Sequence, residues 1–173
     1  MDRGVLTLPN IISLSRIVLA AIFVVIPDTT IRVVLIVVAA ATDFLDGWVA
    51  RRQALASRFG ALIDPLADRV FVLAAITTFL FSGAITTAQY FMLIARDLAT
   101  AVGFLIARAV SRLRNATFQA RLSGKIVTVL QLIALCAVLV VPERAPLFIL
   151  AVAIYSAWAI IDYTLMLWRV RAP

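Results

Sequence analysis

Four aspartates, Asp43, Asp46, Asp64 and Asp68, stand in a chain that is otherwise strongly apolar. The first two are three residues apart and the last two four apart, so on helices each pair projects from one face. Four carboxylates converging in a partly desolvated site repel strongly, and an ionisable group within a membrane is costly, so a cationic partner is required. Two hard divalent cations meet that need: held about 4 Å apart, they bind phosphate oxygens, polarise phosphorus and stabilise a displaced phosphate. Small residues keep step with the acids. Gly47 is four after Asp43, Ala50 is four after Asp46, and Gly60 is four before Asp64, which leaves room for a ligand or a neighbouring backbone. Arg51, one position past Ala50, stands where a planar, permanently charged donor can hold a phosphate bidentately.

The elements that carry these residues follow from composition. Over 173 residues the chain is 64% hydrophobic, with a mean hydropathy of +1.09, far above a soluble domain, so we read an all-α integral membrane protein. No linker or internal repeat divides it, and a single membrane domain over residues 1–173 is expected. The net charge of +7 does not indicate nucleic acid, because the basic residues alternate with apolar spans and do not form a polar face with stacking aromatics. There is no histidine. Imidazole chemistry and the usual zinc sites are therefore excluded, and a metal site must use oxygen ligands, favouring Mg²⁺, Mn²⁺ or Ca²⁺. The single cysteine, Cys136, permits no intrachain disulfide and reads as a buried structural thiol.

A helix needs about 20 apolar residues to cross a bilayer core, and the pattern predicts six transmembrane helices. They run from Pro9 to Ile26, Ile31 to Val49, Ala67 to Phe81, Thr86 to Val110, Lys125 to Val141 and Pro146 to Leu167, with Pro27, Ser82-Gly83 and Pro142 between them. The first is kept as a mature helix, since Arg16 interrupts it and no small-residue cleavage site follows. Twelve of the sixteen basic residues fall on one side: Arg3, Arg51, Arg52, Arg58, Arg69, Arg108, Arg112, Arg114, Arg121, Lys125, Arg169 and Arg171. Arg32 and Arg144 fall on the other, while Arg16 and Arg96 lie within spans. The positive-inside rule then puts both termini and the aspartates on the cytoplasmic side.

Residues 43 to 68 read Asp43-x-x-Asp46-Gly47-x-x-Ala50-Arg51, eight residues, then Gly60-x-x-x-Asp64-x-x-x-Asp68. This resembles the signature of the CDP-alcohol phosphatidyltransferases, and the six-helix plan extends the similarity over nearly the whole chain. The resemblance implies that family's fold, a homodimer in a membrane, expected here to be the bacterial cytoplasmic membrane, and two divalent cations, Mg²⁺ or Mn²⁺. It implies metal-ligand roles for Asp43, Asp46 and Asp64, with Asp68 near the metals and acting as general base. Asp46, Gly47, Ala50, Arg51 and Gly60 would then contact the CDP-linked lipid, CDP-diacylglycerol. An acceptor hydroxyl gives its proton to Asp68 and attacks the lipid-bearing phosphorus, and CMP leaves.

The acceptor must be read elsewhere. Arg96 lies within a span, and Arg121 and Lys125 precede or open the fifth, so a second basic cluster would suit an anionic acceptor. Arg108, Arg112 and Arg114 are read as topological charge or anionic-lipid contacts. The segments "TLPNIISLSRIVL", "LIDPLADRV" and "GKIVTVLQ" resemble the branch holding phosphatidylglycerophosphate synthases, whose acceptor is glycerol 3-phosphate, and cardiolipin synthases, whose acceptor is phosphatidylglycerol. Arg96-Asp97 resembles the cardiolipin branch, whereas Gly124-Lys125 and Thr128 to Gln131 resemble the phosphatidylglycerophosphate branch, which we choose. A cation transporter would also use intramembrane carboxylates, but would spread them near the midplane.

Overall fold

The computed structural model describes the backbone of residues 8–53, 60–109 and 122–171, and the side chains of 15–42, 69–102, 126–162 and 164. Among the described residues there are six helices and no strand: α1 (Leu8–Val25), α2 (Thr29–Gln53), α3 (Gly60–Phe81), α4 (Thr87–Ala109), α5 (Leu122–Val140) and α6 (Ala145–Arg171). They group into two compact units, Met1–Ala84 and Ile85–Pro173.

Local chemistry sets the helix ends. Asp28 caps α2, its Oδ1 accepting from the Ile31 N–H at 2.9 Å. Thr86 and Gln89 form a reciprocal capping box at the start of α4: the Thr86 N–H donates to Gln89 Oε1 at 2.8 Å, and the Gln89 N–H donates to Thr86 Oγ1 at 3.3 Å. At the end of α3 the Ala84 N–H reaches Phe79 O (2.9 Å) and the Gly83 N–H reaches Leu80 O (3.1 Å). That double closure needs a left-handed residue, and Gly83 supplies it with φ of 72°.

In the first unit α1 packs against both α3 and α2. Its buried residues Arg16, Ala20 and Phe23 recur at helical spacing, and α3 answers with Phe71, Val72, Ala75, Ile76 and Phe79. The Phe23 ring meets Phe71 at 5.8 Å and Phe79 at 5.7 Å, both edge-on, the favoured arrangement for aromatic quadrupoles. Arg32 closes the same end of the unit. Its Nε–H is shared between Phe23 O (3.2 Å) and Ile26 O (2.9 Å), and its guanidinium carbon lies 5.1 Å from the Phe23 ring centroid. The last carbonyls of α1 have no partner within their own helix, so Arg32 both satisfies them and places a cation at the negative end of the helix dipole.

In the second unit α6 packs against α5 and α4. Ala145, Ile149, Val152, Ser156 and Ala159 form its buried stripe, while Leu147, Leu150, Ile154, Trp158 and Ile161 remain exposed. A helix apolar on every side suits a lipid surround. Among the described residues Ala145–Asp162 is the one stretch long and apolar enough to cross a bilayer by itself; Ser15–Val25, Thr29–Thr42, Arg69–Phe81 and Ile126–Val140 are apolar but shorter.

The expected helix boundaries need correction, most of all at three places. The third helix begins at Gly60, not Ala67, so Pro65 lies inside it; the second runs on to Gln53, and the sixth to Arg171. Hydropathy marks the part of a helix that can lie in lipid, and a helix continues beyond that part wherever its ends meet water.

Replacing Arg32 by Ala should remove about 1–2 kcal/mol of stability, the value of a charged hydrogen bond at a helix end. Arg32→Lys, which keeps the charge without the shared Nε–H, should lie between the two. Thermal unfolding in detergent measures both, and an unchanged midpoint for Arg32→Ala would refute the capping role.

Candidate active site

The backbone places the motif on consecutive helices of one unit. Asp43, Asp46, Gly47, Ala50 and Arg51 occupy the last turns of α2, and Gly60, Asp64 and Asp68 occupy the opening turns of α3. At about 100° per residue, Asp43, Asp46, Gly47 and Ala50 fall within a stripe about 100° wide, with Arg51 beside it. Because α3 starts at Gly60, its three motif positions also follow one helical stripe. The two stripes are separated in sequence by residues 52–59, of which 54–59 lie outside the described residues. The side chains of Asp43, Asp46, Ala50, Arg51, Asp64 and Asp68 also lie outside them. Among the described residues there is no group of three or more Asp, Glu, Cys or His that could hold a metal ion.

The three residues expected to bind the acceptor divide. Arg121 lies outside the described residues, and so does the side chain of Lys125, which stands in the first turn of α5. Arg96 is described and buried, at 6% exposure. Its Nη1 donates to Thr128 Oγ1 at 3.1 Å and lies 3.9 Å from Asp97 Oδ1. Asp97 Oδ2 in turn accepts from Gln131 Nε2 at 3.0 Å, and the same amide nitrogen donates to the Leu93 carbonyl at 2.7 Å. The result is a polar network between α4 and α5 in which a buried cation and a buried anion face each other. Neither charge would be tolerated alone in such surroundings.

Arg96-Asp97 and Thr128 to Gln131, which as sequence resemblances point to different acceptor branches, are thus parts of one structure. The roles of Asp97, Thr128 and Gln131 in it were not apparent from the chain alone. The usable signal is the polar spacing: Thr128 and Gln131 are three apart on one face of a helix, so a second helix must answer them.

Residues 6–168 match the family model described as CDP-alcohol phosphatidyltransferase. The chain belongs to that family. It is by family a transferase, and similar proteins carry matching names. The CDP-diacylglycerol--glycerol-3-phosphate 3-phosphatidyltransferase of Aquifex aeolicus (strain VF5) is 34% identical over 110 residues, 60% of this chain and 62% of that protein. The proteins of the same name from Bacillus subtilis (strain 168) and Pectobacterium atrosepticum are 29% and 30% identical, covering 92% and 90% of this chain. The match spans less than two thirds of the Aquifex relative, but 90% of the Bacillus and 92% of the Pectobacterium protein.

The opposed charges of the α4–α5 network generate a stability test. Arg96→Met alone strands the Asp97 carboxylate and should cost about 3–5 kcal/mol. The double variant Arg96→Met/Asp97→Leu should recover a large part of that loss. Chemical unfolding in detergent of the unsubstituted protein, Arg96→Met, Asp97→Leu and the double variant measures the coupling; additive losses would show that the two charges do not act as a pair.

Proposed function

We propose that the chain is a phosphatidylglycerophosphate synthase: it transfers the phosphatidyl group of CDP-diacylglycerol to a hydroxyl of glycerol 3-phosphate and releases CMP. The observation that carries this reading is the complete aspartate–glycine–arginine motif, which falls on two consecutive helices. The names of the relatives support glycerol 3-phosphate over phosphatidylglycerol, the acceptor in the cardiolipin alternative.

In this reading Asp43, Asp46 and Asp64, with Asp68 beside them, would hold two divalent cations, Mg²⁺ or Mn²⁺. An all-carboxylate donor set in a chain without histidine suits hard cations and not zinc. Once bound, such cations neutralise charge on the phosphates. Gly47, Ala50 and Gly60 let the nucleotide approach the helix backbone, and Arg51 grips its phosphates bidentately. Asp68 accepts the proton of the acceptor hydroxyl. That oxygen forms a bond to the lipid-bearing phosphorus as the bond to CMP breaks, and Arg51 helps to stabilise the charge that leaves with CMP. Arg96, Arg121 and Lys125 bind the phosphate of glycerol 3-phosphate.

The setting is a single domain of six membrane-spanning helices, working as a homodimer in the bacterial cytoplasmic membrane with termini and motif on the cytoplasmic side. Support comes from the apolar outer surface of α6, the apolar segments of four further helices and the distribution of basic residues. A reaction between a lipid and a water-soluble phosphate requires a site at the membrane surface.

Asp68→Asn should abolish metal-dependent CMP release while the protein unfolds at an unchanged temperature; undiminished turnover would remove Asp68 from the chemistry. The acceptor is settled by CMP release in detergent with CDP-diacylglycerol and Mg²⁺ or Mn²⁺, offering glycerol 3-phosphate, phosphatidylglycerol or inositol phosphate in turn. Glycerol 3-phosphate should be turned over far faster than the others, and a preference for phosphatidylglycerol would establish the cardiolipin alternative.

A further inference from the structure

We infer that Arg16 is the fixed counter-charge of the aspartate site: α1 carries this buried arginine level with Asp68 on α3 and about one turn from Asp64 and Asp43. This rests on the reading of the four aspartates as ligands of divalent cations.

Phe23 sets the register of α1 against α3. Its ring is as close to Phe71 (5.8 Å) as to Phe79 (5.7 Å), so it stands level with Ala75, which lies midway between them and is fully buried. Arg16 precedes Phe23 by seven residues, about 20° short of two full turns, and so lies on the same face of α1 about 10 Å nearer its start. The same step on α3 leads from Ala75 to Asp68, and four more residues reach Asp64. Both positions continue the stripe that α3 packs against α1. The two helices are parallel. In an antiparallel pair Arg16 would stand beside Ser82, past the exposed end of α3, yet Arg16 is only 2% exposed. On the parallel register the first residues of the two helices, Leu8 and Gly60, also stand level.

The second helix of the motif leads to the same place. α2 turns back after Ile26-Pro27-Asp28, packs against α1 and buries Leu35, Ile36 and Ala39. Counted from that turn, Ala39 stands about level with Arg16, and Asp43 and Asp46 follow it on the same face at four and seven residues. The buried stripes of α2 and α3 thus both run on into the motif, and Arg16 stands at its inner end on the helix they share. Charge explains an arginine there. Carboxylates gathered in an apolar bundle repel one another until divalent cations arrive, and a permanently charged guanidinium lowers that repulsion with no metal bound. The role does not depend on which hydrogen bonds the guanidinium makes, because charges in a low-dielectric interior act on each other across several ångströms. The same charge opposes an incoming divalent cation. Arg16 therefore stabilises the metal-free protein and weakens metal binding.

The test is Mn²⁺ binding to metal-stripped protein in detergent, read from the electron paramagnetic resonance signal of free Mn²⁺, with thermal unfolding measured alongside. Arg16→Met should tighten Mn²⁺ binding about tenfold, the order expected when one charge is removed about 10 Å from a divalent ion. It should also lower the unfolding midpoint of the metal-free protein, and saturating Mn²⁺ should restore most of the difference. Arg16→Lys keeps the charge and should hold the affinity within about twofold of its original value. Arg16→Gln, neutral but still able to donate, should match Arg16→Met and serves if that variant does not fold. An arginine that only joined helices would lower the midpoint equally with and without Mn²⁺ and leave the affinity unchanged. That result, or weaker binding in the neutral variants, would overturn the inference. Asp43→Asn separates the two readings. If it abolishes Mn²⁺ binding while the Arg16 variants leave it unchanged, only the counter-charge role fails; if the unsubstituted protein binds no Mn²⁺, the metal site is wrong and the inference falls with it.

Discussion

The cost of removing charge and backbone polarity from water governs how this chain is built. In an apolar helical bundle an unmatched charge costs several kcal/mol, and an unmatched carbonyl or amide a fraction of that. A polar group in the interior is therefore favoured where a group on another turn or another helix meets it, and two such meetings position helices here. Arg32 meets the open carbonyls at the end of α1 and fixes the α1–α2 corner. Gln131 meets both a carbonyl and a carboxylate of α4 and fixes the register of α4 against α5. Apolar contact is non-directional and would allow either pair to slide. Hydrogen bonds to a specific backbone oxygen do not.

The same constraint explains why two arginines of the same chain behave differently. Arg32 lies in the first turn of α2, where a short reach brings its Nε–H to carbonyls that no helix partner can satisfy. It also covers Phe23, which sits between Phe71 and Phe79, so the cation completes an aromatic core at its rim. Arg96 lies further inside its helix and meets a carboxylate and a hydroxyl instead of helix ends. Position relative to the nearest helix terminus decides whether an arginine acts as a cap or as a member of a side-chain network.

Periodicity and breakers made the six helices legible, and Gly83 and Pro142 do stand at the turns where they were expected. The placement of the motif positions on helices was legible too, because acids at three- and four-residue spacing in an apolar chain fit a helical repeat. Hydropathy failed at the start of α3, since Asp64 and Pro65 interrupt the apolar run between Ala61 and Leu66 although that stretch is helical. It also failed on Arg32. Counting charge on one side of a membrane assigns a sign to the residue but cannot see the two carbonyls of the preceding helix that it satisfies. The Thr86–Gln89 box, by contrast, is written in adjacent sequence and is readable from it.

Gln131 shows why networks between helices escape a reading of one helix at a time. Within α5 it is a polar blemish in an apolar run, and its hydropathy would improve on replacement by Leu or Met. Its value comes from Leu93 and Asp97, 38 and 34 residues away. An amide can donate twice from one nitrogen while carrying no charge, so it links a carbonyl to a carboxylate without adding to the electrostatic load of the interior. A lysine at the same position would add a second buried cation beside Arg96, and a glutamate would add a second anion beside Asp97. Among polar side chains of that length, a neutral amide is therefore the one that satisfies both neighbours and leaves the balance between Arg96 and Asp97 unchanged.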